Sequence, residues 1–166
     1  MKSLVLVIIL TLSLPYNLYS AGEDLVGSPV PTFVLPDEDN RNVDFGTLID
    51  RPTIIYFTHN ACHYCTQIIA HLKRAEAKFG KDKLRIIGIN IMARDSRLVR
   101  AYKKEMGFTF PMFAGNRDDL LKRYRINYVP VLVFVDSKRL VRRVVGHYIH
   151  EPELHRLIKE IMGERG

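Results

Sequence analysis

Apolar residues run almost without interruption through three segments of the chain. Residues 53–57 (TIIYF) and 131–135 (VLVFV) are apolar or β-branched throughout, and residues 84–91 follow a similar pattern. Runs that are apolar on both faces are typical of central strands that helices cover on both sides of a sheet. Residues 140–145 mix apolar residues with arginine, which predicts an edge strand that pairs antiparallel with the strand before it.

Helical spacing of apolar residues appears in the segments that follow these strands. The last such segment has Pro152 in its first turn and Gly163 as its stop, and both residue types favour those positions. Each predicted helix has one apolar face. The positions that define these faces are Cys65, Ile68, Ile69, Leu72 and Phe79, then Leu98, Val99, Tyr102 and Met106, and finally Leu154, Leu157, Ile158 and Ile161.

The order of these elements defines the expected fold. Residues 32–35 and 42–45 flank a polar stretch and predict a short hairpin that extends the main sheet at its N-terminal side. The full order is β-β-β-α-β-α-(α)-β-β-α. Such alternation predicts an α/β fold, a central mixed β-sheet flanked by helices on both faces. We place the domain at residues 30–166, after a linker rich in Gly, Pro and Ser at residues 22–29.

The composition fits one globular domain. The 166 residues are 47% hydrophobic and 26% charged, which is ordinary for a core with a solvated shell. The formal net charge is +7, but lysine and arginine are spread over the whole chain. We therefore expect solvated helix and strand faces and no nucleic-acid site.

The first 21 residues have the pattern of a secretory signal peptide. Lys2 precedes an apolar run that extends to Leu14, and the small residues Ser20 and Ala21 follow. Because the run is shorter than the roughly 20 residues that span a bilayer, we expect cleavage, with an uncleaved membrane tether as the alternative. Export would place the cysteines where a disulfide can persist.

Cys62 and Cys65 form a C-x-x-C pair, a spacing that also serves zinc binding and haem attachment. Here the pair follows a buried strand and a short loop at residues 58–61, and it opens a helix. Cys62 then lies at the positive end of the helix dipole, which favours the thiolate, the attacking species. We expect Cys62 to be the nucleophile and Cys65 to be the buried thiol that resolves the mixed disulfide.

Three further residues, His63, Tyr64 and Pro130, each allow a functional and a structural interpretation. A protonated His63 would stabilise the thiolate and make the pair more oxidising, but it can equally be an exposed residue with a minor electrostatic role. Tyr64 can face a substrate or pack within the fold. Pro130 begins an otherwise central strand, where proline is permitted because no ladder donor is required. Because most X-Pro bonds are trans, the sequence alone favours a trans bond before Pro130.

With these motifs the chain resembles the thioredoxin superfamily, and within it the TlpA/ResA-like thiol-disulfide oxidoreductases, over residues 28–162. The resemblance implies a thioredoxin fold in which Pro130 is cis beside the disulfide and the Val129 backbone binds an extended substrate segment. It also implies no metal at the thiols, and no organic cofactor is required because the two sulfurs hold both electrons. The matching segments are residues 31–37, 42–43, 51–57, 62–65, 110–111, 128–136 and 145–146.

The function that this resemblance implies is periplasmic or otherwise extracytoplasmic. The protein would reduce disulfides in client proteins that carry cysteine pairs, first of all in cytochrome c maturation, with sulfur-compound metabolism and general disulfide repair as alternatives. A membrane dithiol donor would recharge it. Membrane contact of the protein itself is expected only if the N-terminal segment stays uncleaved.

Several positions depart from the family pattern. Family members usually carry Trp directly before the first cysteine, where this chain has Ala61, and thioredoxins carry a buried Asp where it has Tyr56. A Glu found after the second cysteine in some relatives is Ile68 here. These departures leave the proton acceptor for Cys65 and the redox direction unassigned.

Two other functions compete with this interpretation. A peroxiredoxin-like peroxidase needs a Pro-x-x-x-Thr/Ser-x-x-Cys loop, and residues 58–61 contain no such proline. A Sco-like copper or other metal-binding module is the alternative from a different class, because thiolates and imidazoles suit Cu(I) and Zn. Sco-type proteins separate their cysteines by three residues and add a distant His, for which His147 is the candidate. The clustered residues are His59, Cys62, His63, Cys65 and His71.

Overall fold

Seven strands and four helices follow one another in residues 22–163, the part of the chain that the computed structural model describes. The signal peptide predicted at residues 1–21 lies outside the described residues. The strands are β1 (Val34–Pro36), β2 (Asn42–Asp44), β3 (Thr53–Thr58), β4 (Arg85–Asn90), β5 (Met112–Ala114), β6 (Val131–Val135) and β7 (Val141–Val145). The helices are α1 (His63–Phe79), α2 (Ser96–Met106), α3 (Asp118–Tyr124) and α4 (Glu151–Met162).

The main sheet is mixed, as predicted, with strand order β5-β4-β3-β6-β7. Strands β3, β4 and β5 are parallel to one another, whereas β6 pairs antiparallel with β3 and β7 pairs antiparallel with β6. Every residue of β3 and β6 is buried. Such strands read as continuous apolar runs because both of their faces are covered.

Two apolar layers cover the sheet, one on each face. Successive side chains of a strand point to opposite faces, so Ile54 and Tyr56 pack against α1, α2 and α4, while Ile55 and Phe57 pack against α3 and the hairpin. The prediction of helices on both faces is confirmed. The C-terminal end of β3 is therefore held between two packed layers, directly before the cysteine pair.

Two short elements differ from the sequence prediction. Strand β5, which we did not predict, adds a parallel edge strand next to β4. The predicted hairpin forms, but β1 and β2 make a separate two-stranded sheet that joins the main one through a single bridge between Asp37 and Phe113. Glu38 anchors the hairpin further, since its carboxylate pairs with Lys103 and accepts a hydrogen bond from the Met112 N–H.

The segment predicted as a linker, residues 22–29, instead packs along β7. The Gly27 N–H donates to the Val141 carbonyl at 2.8 Å, and the Val141 N–H donates to the Ser28 carbonyl at 3.0 Å. Leu25 is buried in the core with α3. The folded part of the chain thus begins before residue 30. Composition does not reveal this packing, because backbone hydrogen bonds do not depend on the type of side chain.

Asp136 closes the turn between β6 and β7. Its carboxylate accepts hydrogen bonds from the backbone N–H groups of Lys138 and Leu140 at 2.9 and 3.0 Å, and from Arg142 Nε at 2.7 Å. Burial raises the pKa of this carboxyl, but the hydrogen bonds from Leu140, Arg142 and Lys138 together lower it more. The pKa of Asp136 consequently lies below its usual value of 3.8.

We expect Asp136→Asn to lower the free energy of unfolding by about 1–2 kcal/mol at neutral pH, because the charge-assisted bonds are lost. A lowered folded-state pKa stabilises the protein above the unfolded pKa, and this contribution disappears as pH falls through the folded pKa. Urea unfolding at about pH 7 and about pH 3 should therefore show the two proteins converging. The control is Asp39→Asn, at an exposed carboxylate paired with Arg41. A difference for Asp136→Asn that persists in acid would contradict this account.

Candidate active site

Cys62 and Cys65 form a disulfide at the N-terminus of α1, with their Cα atoms 5.2 Å apart. Cys62 is the N-cap residue of this helix. Its backbone is extended, and its Sγ accepts a hydrogen bond from the Cys65 N–H at 3.1 Å. The first N–H groups of a helix have no partner within the helix, so a sulfur at this position takes one of them. The predicted placement of Cys62 is confirmed.

The two sulfurs differ in their access to solvent. Cys62 is half-buried, whereas Cys65 has no exposed surface and packs within the core layer that contains Tyr56. A thiolate or a disulfide of another molecule can therefore reach the pair only at Cys62. This asymmetry suits a nucleophile at Cys62 and a resolving thiol at Cys65.

Pro130 lies beside the disulfide. The peptide bond between Val129 and Pro130 is cis, as the resemblance implies, and the Val129 carbonyl oxygen is 4.0 Å from Cys62 Sγ. Pro130 is buried and Val129 half-buried. The backbone that the resemblance assigns to substrate binding thus borders the accessible sulfur, and its pairing with a client stays a prediction.

Tyr56 occupies the position behind the disulfide where thioredoxins carry a buried Asp. Its hydroxyl donates a hydrogen bond to the Cys65 carbonyl at 2.9 Å. Burial raises the pKa of Tyr56 well above its usual value, so the phenol stays protonated near neutral pH. Tyr56 is therefore a hydrogen-bond donor that fixes the first turn of α1, and it does not supply the missing base.

We expect Tyr56→Phe to destabilise the protein by about 1 kcal/mol, the usual net value of one hydrogen bond. The pH dependence of thiol alkylation should stay unchanged, because a neutral phenol accepts no proton from Cys65. Urea unfolding and iodoacetamide labelling of the reduced protein measure the two effects. Tyr124→Phe, at a buried tyrosine bonded to the Pro31 carbonyl, is the matched control. A shifted alkylation profile for Tyr56→Phe alone would assign this phenol a part in proton transfer.

Asn90, which we did not single out from the sequence, holds the loop before the disulfide. It is fully buried at the end of β4, and its Nδ2 donates to Asn60 Oδ1 at 2.8 Å. Its Oδ1 accepts hydrogen bonds from the N–H groups of Met92 at 3.1 Å and Ala93 at 3.2 Å. One side chain thereby joins the loop that precedes Cys62 to the loop between β4 and α2. The available signal was an amide within an otherwise apolar run.

The histidines near the disulfide form hydrogen bonds with residues other than the cysteines. His59 Nδ1 accepts from the Ala61 N–H at 3.0 Å, exposed His63 pairs with Gln67 at 2.9 Å, and His71 Nδ1 lies 3.2 Å from the Ile149 carbonyl. Within residues 22–163, no three His, Cys, Asp or Glu side chains are arranged to hold a metal ion. The ligand set of the metal-binding alternative is thus not assembled in the described part of the chain.

Comparison with known proteins decides the family. The model of the AhpC/TSA family matches residues 26–144. The chain belongs to the AhpC/TSA family. A curated relative of this AhpC/TSA protein is the thiol-disulfide oxidoreductase ResA of Bacillus subtilis, which is 21% identical over 155 residues, 90% of this chain and 86% of the relative.

Solved structures show the same fold with different named activities. A thiol-disulfide isomerase from Corynebacterium glutamicum has a TM-score of 0.72 at 14% identity, with 84% of this chain and 98% of that one covered. Peroxidoxin BcpB from Mycobacterium tuberculosis has a TM-score of 0.69 at 16% identity, with 85% and 98% covered. The thioredoxin fold is confirmed. Since both activities occur on this fold, the cysteine arrangement must decide between them.

One structural finding concerns membranes. Among residues 22–163, no helix is both long enough and apolar enough to cross a bilayer.

Proposed function

We propose that this AhpC/TSA protein is a thiol-disulfide oxidoreductase that exchanges disulfides with client proteins through Cys62 and Cys65. The observation that carries the proposal is the pairing of an accessible N-cap sulfur with a fully buried one, next to the Val129 carbonyl. Disulfide exchange with a client passes through a mixed disulfide. A second thiol within one helical turn can attack this intermediate and release the client.

The reaction runs in two exchange steps. In the dithiol form, the Cys62 thiolate attacks one sulfur of a client disulfide, a mixed disulfide forms, and the first client thiolate leaves. The Cys65 thiolate then attacks Cys62 Sγ, the intramolecular disulfide closes, and the second client thiolate leaves. Two electrons pass to the client, and the departing thiolates take up the protons that the cysteines lost.

The place of this reaction is proposed to be extracytoplasmic, where the protein acts as a reductant. The signal-like pattern of residues 1–21 supports export. Clients with cysteine pairs, among them apoproteins of cytochrome c maturation, would receive the electrons, and a membrane dithiol protein would supply them. The similarity to a thiol-disulfide oxidoreductase along 90% of the chain supports the activity.

The test combines a redox potential with two activity assays on the chain without residues 1–21. Equilibration with glutathione or dithiothreitol, followed by thiol counting, gives the potential of the pair. A value near about −270 mV would mark an electron donor and one near about −120 mV an oxidant. The protein should reduce insulin in the presence of dithiothreitol and consume hydrogen peroxide no faster than free dithiol. Rapid peroxide consumption without insulin reduction would instead establish a peroxidase.

A further inference from the structure

Three exposed large apolar side chains belong to segments that lie next to the disulfide or to the loop before it. Tyr64, Met92 and Tyr128 are 57%, 59% and 45% exposed. Tyr64 lies between the two cysteines, Tyr128 precedes the Val129 carbonyl that contacts Cys62 Sγ, and the Met92 N–H is bound by Asn90. Exposed apolar side chains beside a reactive group indicate an interaction surface.

One of these tyrosines, Tyr64, contacts the ring of a further tyrosine. The Tyr64 ring centroid is 5.7 Å from that of Tyr148, a half-buried residue in the loop between β7 and α4. Tyr148 in turn contacts His71 at 5.8 Å and His150 at 4.9 Å between ring centroids. The Tyr148 ring is therefore fixed from two sides, and Tyr64 extends its aromatic surface towards solvent.

Tyr128 borders the same loop. A Cβ atom placed on Gly146 would lie 2.7 Å from the Tyr128 hydroxyl, so the Tyr128 side chain packs directly over this glycine, two residues before Tyr148. Any side chain at position 146 would have to displace it. We call Tyr64, Tyr128 and Tyr148 the tyrosine platform.

The surroundings of the tyrosine platform carry no carboxylates in their sequence. None of the 18 acidic residues of the chain falls in the four segments that border the disulfide, which are residues 58–66, 90–94, 126–132 and 144–150. The adjoining Glu151 is paired with Arg74 at 2.8 Å. Burying a carboxylate without a partner would be costly. An apolar group can cover this surface without burying any carboxylate of these segments.

We propose that the tyrosine platform binds an aromatic side chain of the client, located within a few residues of the reacting cysteine in an extended segment. This inference rests on the proposed function, because the client disulfide must reach Cys62 Sγ. An extended segment alternates its side chains, so a residue two positions from its cysteine lies on the same side of the segment as the cysteine. Aromatic pairs favour offset or edge-to-face contacts, which exposed tyrosines can offer. The site then selects clients by sequence in addition to redox potential.

The test compares two disulfide-bonded peptides that differ only in having Trp or Ala two residues from one cysteine. Their reduction by the reduced chain, recycled with dithiothreitol, gives kcat and KM separately. We expect a KM about 2- to 12-fold lower for the Trp peptide at equal kcat, the range that corresponds to an aromatic pair. Tyr148→Leu, which keeps an apolar side chain in the loop, should remove this preference by raising the KM of the Trp peptide to that of the Ala peptide.

Three variants sharpen the result. Leu98→Ala removes an exposed apolar side chain on α2 and should leave the preference intact. Tyr64→Leu should weaken it, and carries the test if Tyr148→Leu does not fold. Gly146→Val should weaken it as well, by displacing the side chain of Tyr128.

Two outcomes overturn the inference. Equal KM values for both peptides with the unaltered chain exclude the tyrosine platform as a selective surface. A Trp preference that survives both Tyr148→Leu and Tyr64→Leu assigns the selectivity to other residues. Neither result contradicts the proposed function, which would fail if the chain reduced neither peptide.

Discussion

Cys62→Ala should reduce insulin no faster than dithiothreitol alone, a complete loss of the protein's own contribution, because the accessible nucleophile is removed. Cys65→Ala should retain the first exchange step and lose the second. The chain has no other cysteine, so nothing can replace either thiol. Cys65→Ala should accumulate as a mixed disulfide with its client, visible as a shifted band on a non-reducing gel.

The two variants control for each other, since each keeps one thiol at the start of α1. With Cys62→Ala, no mixed disulfide should accumulate, because Cys65 is fully buried. Normal turnover by Cys65→Ala would show that an external thiol resolves the intermediate, and the two-thiol mechanism would be wrong. Trapping by Cys62→Ala in place of Cys65→Ala would reverse the assigned roles.

Asn90→Leu should lower the free energy of unfolding by about 2–4 kcal/mol. Leucine removes three hydrogen bonds and leaves the Met92 N–H without its Asn90 acceptor, whereas the Ala93 N–H keeps the Asn90 backbone carbonyl at 3.2 Å. Each buried group without a partner costs about 1–3 kcal/mol, and the apolar side chain offsets part of this loss. Urea unfolding at constant m-value measures the change.

The matched control for Asn90 is Asn60→Ala. Asn60 is exposed and shares one hydrogen bond with Asn90, so its loss should cost only about 0.5–1 kcal/mol. Amide exchange in residues 58–61 should rise for both variants, because the loop before Cys62 loses its anchor. Equal stability of Asn90→Leu and the unaltered chain would show that water replaces the lost partners.

The residue patterns within single segments were sufficient to predict the central strands and the first helix. Strand β6 matches the predicted residues 131–135, and β3 exceeds its predicted range by Thr58 alone. Helix α1 begins at the residue after Cys62, as the C-x-x-C position required. These features depend on local apolar periodicity and on capping, both of which are encoded within a few consecutive residues.

The prediction of a cis bond at Pro130 came from a different source. No property of residues 128–131 by themselves distinguishes a cis from a trans proline, and the trans form is the commoner one. The resemblance to thioredoxin-like proteins supplied this expectation, which the structure confirms.

The sequence by itself determined the order of strands and helices around the cysteine pair and the position of Cys62 at a helix start. The tertiary structure alone decided that β5 pairs with β4, that residues 22–29 pack along β7, that Asn90 anchors Asn60, and that the Tyr64 ring contacts the Tyr148 ring. The physical reason is the range of the interactions. Periodicity acts between neighbours along the chain, whereas these contacts join residues 24 to 114 positions apart, and only the completed sheet brings them together.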